Sequence, residues 1–241
     1  MKQIIKTPKG DYIHQQKVLY LGIKQINKEQ ANINLQLLKF ILDKNDVPFG
    51  LIYGTLLGSV REHDFITHDE DIDLYILDEY KTNFYSALFE LRDQGFEVVR
   101  NDRAGLISIM RNNEYIDFYI FKKYKPGIRI CSGLCILEKY LKNTITIKFN
   151  GSNYNIPQAY EEWLTFEYGK NWRTPIKYTD FKISKFKKIF FYTKEKIKDL
   201  LPDNLYFLIK KRYEQKTIHE FYRKLNKLQI NNEDFSHYSN L

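Results

Sequence analysis

Cysteine is scarce: Cys131 and Cys135 are the two in 241 residues, too few for a disulfide scaffold. Their Cys-x3-Cys spacing, with no second Cys or His pair nearby, is a poor match to structural zinc. No apolar run reaches the roughly 20 residues that a bilayer-spanning helix needs. The opening MKQIIKTPKGDYIHQQ has no apolar stretch of the kind that directs export. These absences lead us to expect a reduced, cytoplasmic setting for a chain neither exported nor membrane-spanning. What the chain does have is 43% hydrophobic and 16% aromatic residues, enough for a sizeable core and against disorder. The length suits one large domain or a domain with an appendage.

The net charge of +8 is unevenly placed. Residues 177–228 hold 15 Lys and Arg against 6 Asp and Glu, whereas residues 1–176 are nearly balanced at 23 against 22. The division expected is a main α/β domain over 1–176 and a basic helical extension over 177–241. In that extension two helical patterns flank Pro202. The first runs through Ile183, Phe186, Phe190, Ile197 and Leu201, with Lys187, Lys188, Lys194 and Lys198 elsewhere on the wheel. The second holds Leu205, Leu208, Ile209, Arg212 and Tyr213. A basic amphipathic helix fits peripheral contact with a membrane surface. Nucleic-acid binding by the same charge is the competing reading, and a helical hairpin packed on the core with a solvated basic face is the plain one.

The chemistry concentrates between Val47 and Leu77. In Asp-Ile-Asp-Leu-Tyr-Ile, Asp71 and Asp73 alternate with Ile72, Leu74 and Ile76, so on a strand both carboxylates project from one side and the aliphatics enter the core. Aspartate disfavours strands, and two carboxylates so close repel unless a cation lies between them. A divalent ion of the Mg²⁺ kind, or Mn²⁺, is the natural partner; a solvated strand edge is the alternative. Upstream, Tyr53-Gly54-Thr55-Leu56-Leu57-Gly58-Ser59-Val60-Arg61 follows the apolar run Phe49–Tyr53 and is expected to form a strand, a tight turn and a short helix. Such a turn offers backbone amides to a phosphate. Gly54-Thr55 fits a strand end and Gly58-Ser59 has the better spacing to Asp71, so both pairs stay open. Arg61 would sit in the first turns of that helix, against the macrodipole, where an anion offsets it. His68 and His63 are weaker candidates for substrate contact.

In order along the chain, Met1–Lys28 is expected to be an extended lead-in with a short helix. Glu29–Lys44 is a helix with Ile33, Leu37, Phe40 and Ile41 at helical spacing, and Glu79–Gln94 is a second helix stopped by Gly95. Strands follow at Phe96–Asn101, Leu106–Arg111 and Tyr115–Phe121. In the last of these Asp117 is the one acid flanked by apolar residues. It shares a face with Tyr115 and Tyr119. The glycine turn and Asp-x-Asp strand above resemble the nucleotidyltransferase superfamily, which implies a third carboxylate from a neighbouring strand, and Asp117 is the candidate by position, as metal ligand or general base. Asp69, leading the acidic cluster, ranks with it. Glu161–Tyr168 is a helix near the site. Trp172, just beyond, is either a stacking surface for a base or choline-like cation, or a core anchor.

The stretch GTLLGSVREHDFITHDEDIDL resembles the signature of the LicD family, which includes bacterial phosphocholine transferases and the fukutin-related glycan phosphotransferases. Gly54 to Gly58, Arg61, Asp69, Asp71 and Asp73 carry the match. A second patch, IPQAYEEWLTFEYGKNWRTP, matches at Ile156, Pro157, Leu164, Tyr168, Gly169, Trp172 and Pro175. One departure is that Thr67-His68 stands where members usually carry Pro-Trp before the acids. The resemblance implies an α/β, nucleotidyltransferase-like mixed sheet with flanking helices. It also implies metal-dependent transfer of a phospho-alcohol such as phosphocholine from a CDP-activated donor to a sugar hydroxyl of a cell-surface glycan; a lipid-linked acceptor at the cytoplasmic leaflet would suit the basic amphipathic segment. A nucleotidyltransferase moving a nucleoside monophosphate, and a non-catalytic membrane or glycan adaptor, are the alternatives.

Overall fold

The computed structural model describes residues 2–17, 25–176, 189, 193, 197, 200–228 and 230. Over residues 2–15 of the expected lead-in a hairpin forms, and residues 18–24 of that stretch lie outside the described residues. Strands β1 (Lys2–Thr7) and β2 (Gly10–Gln15) pair antiparallel across Pro8 and Lys9. Proline presets the turn, and Gly10 takes the left-handed φ of +112° that closes it. Ile5 and Tyr12 are buried while Ile4 and Ile13 face solvent.

Helix α1 (Lys28–Lys44) starts where expected, with the Asn27 side chain accepting from the Gln30 N–H as an N-cap. Its buried face differs from the one the spacing indicated: Ala31, Asn34, Leu35, Leu38, Ile41 and Leu42 are inside, whereas Ile33 and Phe40 are exposed. Asn34 is the cause. Its side chain donates to the Arg111 carbonyl at 2.8 Å and accepts from the Arg111 guanidinium at 2.9 Å, a buried polar pairing that apolar periodicity does not register.

The main sheet is mixed. After β3 (Gly50–Leu51), α2 (Tyr53–Arg61) and β4 (Ile72–Leu77), a 3₁₀ turn (Asp78–Tyr80) leads into α3 (Lys81–Asp93), which buries Phe84, Ala87, Leu88 and Leu91. Gly95, at φ +85°, ends that helix as expected. Strands β5 (Glu97–Asn101), β6 (Leu106–Arg111) and β7 (Glu114–Lys125) follow, then β8 (Ile128–Cys131), β9 (Leu134–Leu137), α4 (Glu138–Lys142), β10 (Thr144–Phe149), β11 (Ser152–Pro157) and α5 (Tyr160–Tyr168). The strand order is β10-β11-β3-β4-β7-β6-β5, with β8 and β9 continuing from the far end of β7. β4 runs parallel to β7, and β3 runs parallel to β11; the other pairs are antiparallel. The β6–β7 turn is Asn112-Asn113, both at positive φ, a conformation asparagine tolerates and a right-twisted hairpin needs.

Of the first basic helical pattern, Ile183, Phe186, Phe190, Lys187, Lys188, Lys194 and Lys198 lie outside the described residues. Helix α6 (Asp203–Leu228) contains the second, in a different phase. Tyr206, Ile218, Phe221 and Leu225 are buried, with Phe221 against Phe166 of α5. Leu205, Leu208, Ile209 and Tyr213 are exposed. No helix among the described residues is long and apolar enough to cross a membrane.

Candidate functional site

Asp73 is the best-anchored of the expected residues. Its main chain accepts from the Ile52 N–H at 3.2 Å, and its own N–H donates to the Thr55 hydroxyl at 2.8 Å. Its Oδ2 accepts from the Gly54 N–H at 3.1 Å and its Oδ1 from the Tyr119 hydroxyl at 3.2 Å. Helix α2 therefore begins at the carboxylate, with an otherwise unpaired first-turn amide aimed at it. Tyr53 reaches this arrangement at φ +46°, a strained value for a bulky side chain, braced by the rings of Tyr119 and Trp163.

Asp71 precedes β4 by one residue, so the strand is shorter than the sequence pattern indicated, yet both acids turn to one place. Ligand oxygens of Asp71, Asp73 and Asp117 all lie within 4.8 Å of one another. Asp117 arrives through the β4–β7 register, directly opposite Asp73. At that separation, two full charges repel by about 3–4 kcal/mol at an effective dielectric of 20. Three such pairs approach the whole stability of a typical domain. Burial is the largest effect raising the Asp71 and Asp73 carboxyls well above their usual range, with their neighbouring carboxylates adding to it. Burial likewise raises Asp117, against the opposing pull of Arg100. Asp69, also raised chiefly by burial, reaches about 6.

The donor set is all oxygen. Its ligand atoms, within 4.8 Å of one another, approach the roughly 3–4 Å between ligands of an octahedral Mg²⁺. The residues present therefore fit a hard divalent ion, with Asp71, Asp73 and Asp117 as its holders.

A cavity of about 560 Å³ opens beside the acids, lined among others by Gly54, Arg61, His68, Asp69, Tyr168 and Trp172. Gly54 lets the Asp69 carboxylate lie against the backbone: a Cβ there would meet Asp69 Oδ2 at 2.3 Å and push that side chain aside. Of the two glycine pairs left open, Gly54-Thr55 lies at the acids, with the buried Thr55 hydroxyl spent on Asp73. Gly58-Ser59 does not form a turn. It is inside α2, where a Cβ on Gly58 would meet the Asp64 carbonyl at 2.6 Å, and the buried Ser59 hydroxyl donates to the Leu56 carbonyl. This pair serves packing and does not face the cavity. Arg61, at the last turn of α2 and not the first, suits the macrodipole. Its Nη1 donates to the Trp172 carbonyl at 3.1 Å and its Nη2 pairs with Glu62 at 2.6 Å. Trp172 is 5% exposed, with the Arg173 guanidinium 4.2 Å from its ring centroid, so the ring is a cavity wall and not an open stacking surface. His63 is exposed at φ +55° and does not line the cavity.

Four residues at the site were not anticipated as such. Tyr119 holds Asp73; Tyr168 lines the cavity, its hydroxyl raised first by burial and then by Asp73, Glu167 and Asp69. Ser108 and Arg100 both hold Asp117. The lone serine in the apolar Leu-Ile-Ser-Ile-Met run of β6, the place of Tyr119 on the Asp117 face and that of Tyr168 in the second family-like patch were the sequence signals; Arg100 had none.

Comparison with known proteins agrees with the motif. Residues 46–159 match the family described as LicD/FKTN/FKRP, nucleotidyltransferase domain. Human ribitol-5-phosphate transferase FKTN is 28% identical over 171 residues, covering 65% of this chain and 36% of that protein. An uncharacterised protein of Rickettsia typhi, RT0683, is 30% identical over 104 residues, covering 42% of this chain and 32% of that one. The chain thus spans about a third of the length of the curated relatives it matches. Among solved structures, the lincomycin-bound lincosamide adenylyltransferase LnuA is 9% identical, with a TM-score of 0.42 over 69% of this chain and 94% of that one. The antibiotic-resistance factor ANT(2'')-Ia is 12% identical, with a TM-score of 0.44 over 84% and 96%. Residues 46–159 are thus similar to the LicD family of nucleotidyltransferase domains.

Proposed function

We propose that this protein is a divalent-metal-dependent phosphotransferase that moves a phospho-alcohol group from a CDP-activated donor to a sugar hydroxyl of a glycan. The observation that carries the reading is the convergence of Asp71, Asp73 and Asp117 at the start of α2, beside a cavity large enough for a nucleotide-linked donor. Similarity to ribitol-5-phosphate transferases favours a polyol phosphate as the group moved, with phosphocholine as the other candidate.

A bound Mg²⁺ or Mn²⁺ would neutralise the donor diphosphate and the departing nucleoside monophosphate. The chain's own residues do the rest. Asp71, Asp73 and Asp117 hold the ion; Gly54 keeps the cavity wall thin enough for a phosphate to approach, and Arg61 and His68 supply polar groups along it. Asp69, which lines the cavity beside the other acids, is placed to take the proton of the acceptor hydroxyl. Such transfers depend on alignment and charge neutralisation more than on covalent help from the protein. The exposed Leu205, Leu208 and Ile209 of α6, next to Lys211 and Arg212, would set the enzyme on the inner membrane face, where a lipid-linked acceptor is held.

The test is incubation with CDP-ribitol, CDP-glycerol and CDP-choline, each labelled separately in nucleoside and headgroup, with CTP and ATP alongside. The reading requires headgroup phosphate on the glycan and release of CMP, abolished by EDTA. Transfer of the nucleoside label instead makes the protein a nucleotidyltransferase proper, and no transfer of either label with any donor would leave the adaptor alternative.

A further inference from the structure

Asp117 has both oxygens engaged by the protein itself. The Ser108 hydroxyl donates to Oδ1, Arg100 Nη2 donates to Oδ2, and Arg100 Nε donates to the Ser108 oxygen at 2.8 Å, closing a ring of three side chains. Ser108 is fully buried, and the Asp117 side chain is 5% exposed. The ring follows from strand register. Arg100 stands opposite Ser108, Ser108 opposite Asp117, and Asp117 opposite Asp73, one row across β5, β6, β7 and β4.

Arg100 joins that row because of an irregularity. Val98 pairs with Ile109, but the next rung pairs Arg100 with Ser108, so Val99 is an extra residue in β5. Regular pairing would put Val99 opposite Ser108 and turn Arg100 to the other face. A bulge that re-aims one side chain next to a site is a recurring use of this device.

We propose that Arg100 is a positioning residue for the carboxylate cluster. With Ser108, it fixes the Asp117 carboxylate so that its remaining lone pairs point toward Asp71 and Asp73. Without it, a divalent ion meets two aimed carboxylates and one that swings. The guanidinium fork matters more than its charge, because it spans Ser108 and Asp117 at once. This inference rests on the reading that the cluster holds a divalent ion.

Mn²⁺ binding to the full chain, followed by the EPR signal of the free ion, tests it. Asp117→Asn sets the scale of losing that ligand. Arg100→Gln is expected to weaken binding about tenfold, in the range typical of groups that orient a metal ligand. Arg100→Lys, which keeps the charge and loses the fork, should be nearly as weak, and Ser108→Ala should lose about threefold by the same route. Combined with Asp117→Asn, Arg100→Gln should add nothing, since both act through one carboxylate. Binding by Arg100→Gln as tight as wild type or tighter would overturn the proposal, because that is the result if the guanidinium merely opposes the ion. Multiplying losses in the double variant would overturn it too. Should Arg100→Gln fail to fold by circular dichroism, unchanged affinity in Ser108→Ala overturns it. Wild-type affinity in Asp117→Asn would instead remove the ion reading underneath, and this inference with it.

Discussion

Asp73 and Asp117 face each other at one rung of the parallel β4–β7 ladder, so two strands 44 positions apart in the sequence deliver their carboxylates to one point. A parallel pair needs a long crossover, supplied here by α3, β5 and β6. The pairing concentrates negative charge that the fold alone does not neutralise: within bonding distance of the three acids, Arg100 is the one cation among the described residues.

From that imbalance comes the first prediction, an opposition between stability and activity. Asp71→Asn removes one half-buried charge while keeping an oxygen to accept from the Tyr115 hydroxyl, as Asp71 now does. Transfer activity should fall by about three orders of magnitude, the scale on which loss of one key electrostatic group acts. The metal-free variant should nevertheless melt higher than wild type, by about 2–4 °C for each kcal/mol of relieved repulsion. Scanning fluorimetry in EDTA and then with Mg²⁺ checks both halves: the ion should lift wild type and leave Asp71→Asn unmoved. An Asp71→Asn protein that melts lower than wild type in EDTA would contradict the account of the cluster.

The two glycines of α2 separate function from packing. Gly54→Ala puts a Cβ 2.3 Å from a carboxylate oxygen of Asp69, a flexible group that yields by rotating out of the cavity wall. Activity should drop about a hundredfold, the cost of an ångström-scale misplacement, with a small change in melting temperature. Gly58→Ala instead meets a backbone carbonyl at 2.6 Å, which cannot swing away. It should cost about 1–3 kcal/mol in urea unfolding while the surviving folded fraction keeps its specific activity. Equal effects of the two on both readouts would refute the assignment of separate roles.

The two glycines also mark what the sequence made legible. Period-two alternation put Asp71 and Asp73 on one side of a strand and one lone acid in an apolar strand marked Asp117, while the expectation of a third carboxylate from a neighbouring strand came from the family resemblance. Phase was harder where a polar residue turned inward: Asn34 shifted the buried face of α1, and Tyr206 and Ile218, in place of Leu205 and Leu208, anchor α6. Arg100 was out of reach for a different reason. Its face depends on an extra residue in β5 and on which strand pairs with which, and neither is written in local periodicity.

A pH effect is expected far from the acids, at Arg129. This guanidinium is fully buried and is shared between Glu79 and Glu138, with a further bond to the Phe121 carbonyl at 3.1 Å. Its hydrogen bond to Glu79 is the main cause that draws that carboxyl down from 4.5 to about 2. A carboxylate depressed in the folded state adds stability that is present above its unfolded value and lost as pH falls through its folded value. Urea midpoints of wild type should therefore decline between pH 4.5 and 2, and Glu79→Gln should start lower and decline less across that window. Parallel curves for the two proteins would mean that the pair contributes nothing.

Helix α6 carries the last prediction. Its inner face is fixed by Phe221 against Phe166, so its outer face is presented in one orientation, with Leu205, Leu208 and Ile209 exposed next to Lys211 and Arg212. Apolar side chains entering the headgroup region and cations meeting anionic lipid act together, each basic residue contributing about 1 kcal/mol near such a surface. The protein should co-sediment with phosphatidylserine-containing vesicles at low salt and much less with neutral ones. Leu205→Ser with Leu208→Ser should weaken that binding about tenfold without changing transfer to a soluble sugar acceptor, since neither residue reaches the acid cluster. Loss of soluble transfer in that variant would instead tie α6 to the catalytic domain, and equal binding to neutral vesicles would remove the electrostatic part of the argument.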